Sequence, residues 1–377
     1  MRLLIERDAA LKVLSKVMGV LKGKPDTAMG GQVLLNAMAT TLSVTTTNGS
    51  QQAVDCAPAK IEVPGRTTVD ARRLHDVIRS LPEGGEVLLS MPEDGVRVTV
   101  KCGKVSATLG ALPADDFPEF PALDGAAGGA LPRDELRRLF ARTRFACSSE
   151  ETKPHITGTY LHVREHKGVL WLTAVGLDLK ILAMADMQAP AHFRGFPETI
   201  LAAPFVDEVS RLLGESPEVV ELYASPTLSE FRSGSTEITS KVIDPPYVNY
   251  AMAIQRAGGD LVVKIDAEQL VASINRALLI ADDKYRTVRV GFSADRLTIS
   301  ARSPQAGDEL NDEIAIDYAG PDADLSFNAS RIKSLFGVIR GENAICALDA
   351  ADPKSKGLLI TDSADPFCRY VLTQNVG

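Results

Sequence analysis

Cysteine is sparse and disordered in its spacing. Five cysteines (Cys56, Cys102, Cys147, Cys346, Cys368) are scattered over 377 residues, odd in number and without a CxxC pair. That excludes a disulfide framework and a structural zinc site, and leaves buried free thiols as the expected state. Histidine is equally thin: His75, His155, His162, His166 and His192 form no cluster. His162 and His166 stand four apart, but in an expected strand and turn, so a solvated turn is the reading and not a metal site. No apolar run approaches the ~20 residues of a membrane helix. The opening MRLLIERDAALKVL meets Glu6 early and has no small-residue cleavage site, so a cytosolic location is the default expectation.

The motifs of catalysis are missing too. There is no GxxxxGK[ST], no GxGxxG after a strand, no HExxH, and no SxxK that places a serine beside a base. Acidic pairs such as Asp115-Asp116 and Asp282-Asp283 fall in loops. Nothing assembles a nucleophile, a base and an oxyanion donor. A non-enzymatic protein with no metal and no cofactor is expected.

What is present is an internal repeat. VDARRLHDVIRSLPEGGEVLLS from Val69 recurs as LAAPFVDEVSRLLGESPEVVEL from Leu201 and as FNASRIKSLFGVIRGENAICAL from Phe327. Each copy places apolar residues on one helical face: Leu74, Val77, Leu81; Val206, Val209, Leu213; Ile332, Leu335, Ile339. Each then breaks at Gly or Pro and resumes as a β-rich run. A second series of helices begins near Leu11, Leu136 and Leu270. Its spacings are 125 and 134 residues, against 132 and 126 for Leu74, Val206 and Ile332. Two independent series thus return one period, close to a third of the chain.

Alternating strand patterns lie between and after the helices, as in TTLSVTTTN from Thr40, GVLWLTAV from Gly168 and DRLTISARS from Asp295. The expected unit is β-α-β-β-β-α-β-β-β, an α+β class, with domains at 1–122, 130–252 and 260–377. The linkers fall at Asp124–Gly129 and Gln255–Gly259.

A net charge of −8 argues against nucleic acid until its placement is considered. The expected helices carry Lys12, Lys16, Lys22, Lys24, Arg72, Arg73 and Arg79, then Arg137, Arg138, Arg142, Arg144 and Arg211. The third repeat adds Arg276, Lys284, Arg286, Arg331, Lys333 and Arg340. Taken alone these are ordinary solvated faces. If three repeats turned their helices one way, the cations would merge into a surface that attracts phosphates without reading bases.

At this point the chain resembles a known family. ERDAALKVLSKVMGVLKGKP, ARRLHDVIRSLPEGGEV, TLGALPADDFP, SKVIDPPYVNY and RTVRVGFSADRLTISARSP, in that order and spacing, are similar to the bacterial DNA polymerase III beta sliding clamps. The likeness spans the full chain. It implies three tandem DNA-clamp domains, each with two helices packed on antiparallel sheets, and two chains closing head to tail into a homodimer ring. Twelve helices would line the hole. The ring would encircle double-stranded DNA and tether the replicative polymerase through effective concentration rather than catalysis.

By the same resemblance, Lys24, Arg72, Arg73 and Arg79 would lie nearest DNA, with Lys12, Arg137, Arg142 and Arg331 contributing. Ala107 and Leu109 would meet Leu279 and Ile280 of a second copy at the dimer interface. DNA polymerase subunits and the clamp loader would dock peptides in an apolar pocket, and no membrane partner is implied. The pocket positions are Ile156, Ala174, Gly176, Leu177, Asp178, Leu179, Val248, Met252, Ala253, Val371, Leu372, Thr373 and Gln374.

The chain departs from the family there. VGLDL (Val175–Leu179) replaces an acidic-Gly-His-Arg-Leu run, and TQNVG replaces a Pro-Met-Arg-Leu-like tail. Asp178 at a rim where a cation is usual would disfavour an acidic ligand and imply a different peptide preference. Two other readings stay open: a clamp-fold paralogue or decoy that binds replication proteins without encircling DNA, and an unrelated enzyme of repeat architecture.

Overall fold

The computed structural model describes residues 1–22, 29–92, 95–244, 246–282, 286–303, 307–349 and 357–374. Seven α-helices occur among them: α1 (Arg7–Val17), α2 (Ala71–Ser80), α3 (Arg133–Thr143), α4 (Ala203–Leu213), α5 (Tyr250–Arg256), α6 (Ala267–Leu278) and α7 (Ala329–Phe336). All twenty-two strand pairings are antiparallel.

Helices α2, α6 and α7 begin where the sequence supplies a cap. Asp70, Asp266 and Asn328 each accept a hydrogen bond from the amide three residues on (Arg73, Gln269 and Arg331), at 2.8, 2.8 and 3.2 Å. The inward faces follow a helical stripe: Leu74 and Ile78 of α2 are essentially fully buried. Each contributes about 2 kcal/mol by leaving water. Val77 of the expected stripe is only half-buried, because the i, i+4 neighbour Ile78 takes the core position. Arg7 opens α1 and is itself buried. It donates to the carbonyls of Ile78 and Arg79 at 3.2 and 2.5 Å, closing the negative end of α2. Arg133 opens α3 in the same way, donating to the Ser216 carbonyl at 2.8 Å, just beyond α4.

The expected strand order is too sparse. Five strands separate α1 from α2, and four separate each corresponding pair, α3 from α4 and α6 from α7. A strand leading straight into the second helix (Gly65–Asp70, Thr199–Leu201, Ala323–Asn328) is additional to the expected pattern. The helix α5 is also unexpected. It occupies the segment read as a domain end and linker, and starts at a side-chain cap from Asn249 to the Met252 amide.

Contacts cluster the chain into two compact units, each spanning parts of more than one repeat. The first comprises 1–134, 190–197 and 204–242; the second comprises 135–189, 198–203 and 243–377. The reason is sheet continuity. In the first unit a thirteen-stranded sheet crosses from Gln51–Pro58 of the first repeat to Thr236–Lys241 of the second. In the second unit an eight-stranded sheet crosses from Ile181–Gln188 of the second repeat to Asp365–Leu372 of the third. A separate four-stranded sheet ends at Asp308–Ala315. No helix of the described residues is long and apolar enough to cross a membrane.

Candidate peptide groove and basic helices

The eight-stranded sheet has two faces, and strand alternation decides which residues share one. On Val169–Leu177, the side toward α3 takes Leu170, Leu172, Ala174 and Gly176. A Cβ on Gly176 would stand 2.1 Å from the Thr143 carbonyl oxygen, so only glycine fits beneath the helix end. The other side takes Trp171, Thr173, Val175 and Leu177. Cross-strand partners extend this outer face to Tyr160 and His162, to Leu182, Met184 and Asp186, and to Arg369 and Val371.

One end of that face is a buried apolar cluster with a partly accessible rim, the candidate groove. Tyr160, Val175, Leu182, Met184, Ile200 and Val371 are buried together. Leu177, Ile243, Tyr247, Tyr250, Ile254, Ala257 and Leu359 pack against them and remain partly accessible. Tyr160 and Tyr247 stack at 4.5 Å with planes 8° apart. The His162 imidazole lies 2.8 Å from the Tyr250 hydroxyl, fixing the start of α5 to the sheet. Burial drives the phenols up, that of Tyr250 to about 12, so they stay neutral. Burial also lowers the His162 pKa, with Arg164 adding to the effect against opposing carboxylates. Beside this cluster a recess of about 470 Å³ is lined by Pro154, His155, Asp244, Pro246, Tyr247 and Val248.

The structure sorts the expected pocket residues. Leu177 and Val371 are in the groove, Val248 lines the adjoining recess, and Met252 and Ala253 lie exposed on α5. Ala174, Gly176 and Leu372 lie on the helix side by period two, and all three are buried. Ile156 is wholly buried. Thr373 and Gln374 border the turn at Asp178–Lys180. The Thr373 amide and hydroxyl donate to the Lys180 carbonyl at 2.9 and 3.1 Å, and the Lys180 ammonium donates to the Gln374 carbonyl at 3.2 Å.

Asp178 is a correction. It is not an open negative charge. Its Oδ1 accepts from the Lys180 and Ile181 amides at 3.0 and 2.9 Å, which holds the turn. Its Oδ2 accepts from Arg331 at 2.9 and 2.8 Å. The turn lifts Leu179 into solvent, 53% exposed and at φ +69°. That is an uncommon conformation for a bulky side chain.

The basic residues divide in the same way. Lys12, Arg72 and Arg73 on α1 and α2, and Arg137 on α3, are exposed and make no ion pair among the described residues. Arg79 is exposed beside Asp76 at 3.1 Å. Arg142 is not available to a ligand. It is 4% exposed and bonded to Asp362 at 2.9 Å, with Asp365 at 3.5 Å. Arg331 is partnered by Asp178. Lys24 and Lys284 lie outside the described residues.

At the seam positions, Ala107 and Leu109 sit half-buried on Val105–Leu112. Only Ala111 and Leu112 of that strand pair with Gly65–Asp70. The remainder of that edge is unpaired among the described residues. Leu279, just past α6, is 83% exposed, and Ile280 is half-buried.

Sequence reasoning missed Tyr160, Tyr247 and Tyr250. The i, i+3 spacing of the last two, directly after a proline pair, was the available signal. Among the described residues no group of three or more His, Cys, Asp or Glu side chains could hold a metal ion.

Repeated helix pairs on shared antiparallel sheets, with an apolar groove on the sheet face, define a clamp-type scaffold. Comparison with known proteins agrees. Models of the DNA polymerase III beta subunit match its N-terminal domain at residues 1–121, its central domain at 130–249 and its C-terminal domain at 257–374. The beta sliding clamp of Caulobacter vibrioides (strain NA1000 / CB15N) is 34% identical over 372 residues, covering 99% of each chain. The crystal structure of the Caulobacter crescentus sliding clamp superimposes with a TM-score of 0.93 at 32% identity, covering both chains fully. The Bartonella birtlesii clamp, solved bound to griselimycin, gives 0.93 at 28%, also covering both chains fully. The chain belongs to the DNA polymerase III beta subunit family.

Proposed function

We propose that this protein is a DNA sliding clamp that encircles duplex DNA and tethers the replicative polymerase and other partners. It works as a non-catalytic processivity factor in the cytoplasm. The observation that carries the reading is the match of all three family domains in order along one chain, with exposed cations on α1, α2 and α3. The DNA-facing set is then Lys12, Arg72, Arg73, Arg79 and Arg137, together with Lys24. Domain boundaries near 1–122, 130–252 and 260–377 are proposed with it.

Ring closure follows from strand edges. The free edge of Val105–Leu112 and the outer strand Asp308–Ala315 are each a template for another chain. Head-to-tail pairing of two copies would cover both and bring Ala107 and Leu109 toward Leu279 and Ile280. The groove around Leu177, Tyr247 and Val371 is proposed to take peptides of the polymerase and the clamp loader.

Loader-assisted retention on nicked circular DNA, before and after linearising the circle, tests the reading. Retention on the circle with loss on the linear form is expected. No retention on either would favour a clamp-fold decoy.

A further inference from the structure

Two parts of the third repeat face a second copy in the proposed ring: the end of α6, with Leu279 and Ile280, and the outer strand Asp308–Ala315. One side-chain pair joins them. Arg276, in the last turn of α6, donates to Asp312 Oδ2 from Nε at 2.8 Å and also from Nη2. The other carboxylate oxygen, Oδ1, accepts from the Glu313 amide at 3.0 Å, which fixes it to its own strand. Arg276 is tied to the helix end in turn, because its carbonyl accepts the Leu279 amide at 3.1 Å. A single residue thus holds the strand edge with its side chain and the highly exposed Leu279 with its backbone.

The placement of Asp312 is not what packing alone would select. Alternation puts Leu310, Asp312 and Ile314 on the helix-facing side of the strand. Asp312 stands opposite Ile299, which is wholly buried. An apolar side chain there would extend the core. A half-buried carboxylate has to be met by a partner, and a pair with an exposed arginine adds little to folding. Folding does not account for it.

We propose that Arg276 and Asp312 form a positioning pair for ring closure, which sets Leu279 at a fixed place beside the strand edge before the second copy arrives. The proposal rests on the ring reading above. An incoming strand pairs with Asp308–Ala315 only at about 4.8 Å from it. Leu279 reaches Ala107 and Leu109 of that incoming copy only if α6 ends at the matching point over the edge. Fixing strand and helix end in advance removes an ordering cost that association would otherwise meet. Neither Arg276 nor Asp312 needs to touch the second copy.

The test is dimer dissociation of the full chain, followed by sedimentation over a dilution series for the unaltered chain, Arg276→Gln, Asp312→Asn and the double variant. Each single change should raise the dimer Kd about tenfold. The double variant should be no worse than either, because the two residues act as one unit. Thermal unfolding of the same variants in a Leu279→Asp background, where the copies are held apart, should move by no more than about 2 °C.

Dimers as tight as the unaltered chain's, or tighter, in either single variant would overturn the pair's role and leave the ring intact. Additive losses would overturn it as well, since each residue would then act alone. A large fall in the unfolding midpoint of the Leu279→Asp background would overturn it by assigning the pair to folding. An unaltered chain that stays monomeric, or a dimer indifferent to Leu279→Asp, would overturn the seam and the pair together.

Discussion

Arg331 donates two hydrogen bonds to one carboxylate oxygen of Asp178, from Nε at 2.9 Å and from Nη2 at 2.8 Å. The pair joins α7 to the turn bordering the proposed peptide groove. It cancels the charge that the VGLDL sequence would otherwise place at the rim. A ligand with an acidic flank should therefore be tolerated. In Arg331→Ala the carboxylate is uncovered, and Kd for such a ligand should rise about tenfold, with little change for a neutral one. Calorimetry on peptides differing only at the flank measures this. Equal losses for both ligands would show that the pair matters only for folding.

The Asp362–Arg142 pair is buried, and Asp362 also accepts from the Arg340, Gly341 and Ala364 amides at 2.7, 2.9 and 2.9 Å. Asp362→Ala should cost about 3–5 kcal/mol, because it strands a buried guanidinium. Denaturant unfolding checks the magnitude. Burial raises the Asp362 pKa, but the three amides and Arg142 outweigh it and leave it below the ordinary carboxylate value of 3.8. Its contribution is present above pH 3.8 and is lost as pH falls through the lower folded-state value. A carboxyl-to-amide change at this site should flatten the acid limb of the stability profile.

His162 titrates in the opposite part of the range. Its folded pKa lies below the ordinary 6.5, so the unfolded chain takes up the proton first. Stability is unaffected above pH 6.5 and declines as pH falls from there toward the folded value. The Tyr250 contact loosens with it. The hydrogen-exchange protection of the Tyr250–Arg256 amides, taken relative to the intrinsic rate at each pH, should fall below about pH 6.5. His162→Gln should remove that dependence.

Cations on the helices should separate into two kinds. Charge removal at Arg72, Arg73 or Arg137 should weaken retention on DNA and reduce its salt dependence by roughly one counterion each. Arg142→Ala should leave the salt slope alone and lower the unfolding midpoint. Retention measured across a salt series, beside thermal unfolding of each variant, distinguishes them.

Burial should also silence two thiols. Cys346 and Cys368 are pushed up to about 12, Cys346 by burial alone and Cys368 by burial and then Asp365. A thiol-reactive dye at neutral pH should label neither in the native protein, and both after unfolding.

The repeat was readable because its signals are local. Each helical stripe is complete within about a dozen residues, and Asp70, Asp266 and Asn328 stand directly before α2, α6 and α7. The short strands before α2, α4 and α7 were not readable, since three to six residues feeding a cap look like the helix they precede. The helix α5 was hidden by its flanks: Pro246 before it and Gly258-Gly259 after it read as a linker. Its residues are held by Tyr250 and Ile254 against a sheet that is remote in sequence. Arg142 was misplaced for a related reason. In RDELRRLFARTR the cations are equivalent by composition, and only the carboxylates at 362 and 365, more than two hundred residues away, set Arg138 and Arg142 apart from the rest. The groove was half legible, because alternation predicts which residues share a face but not which face is outward.

Strand pairing across the repeat boundaries limits how this molecule can be dissected. A fragment cut after the first repeat loses the partner of Gln51–Pro58, and one holding only the third repeat loses the partner of Asp365–Leu372. Each cut bares a row of amides and carbonyls that can seize any other chain. Single repeats made by truncation should therefore be sticky preparations. The boundaries most visible in the sequence are the worst places to divide the gene, and tags or inserted domains are better placed in hairpin tips such as Lys167-Gly168, which interrupt no ladder.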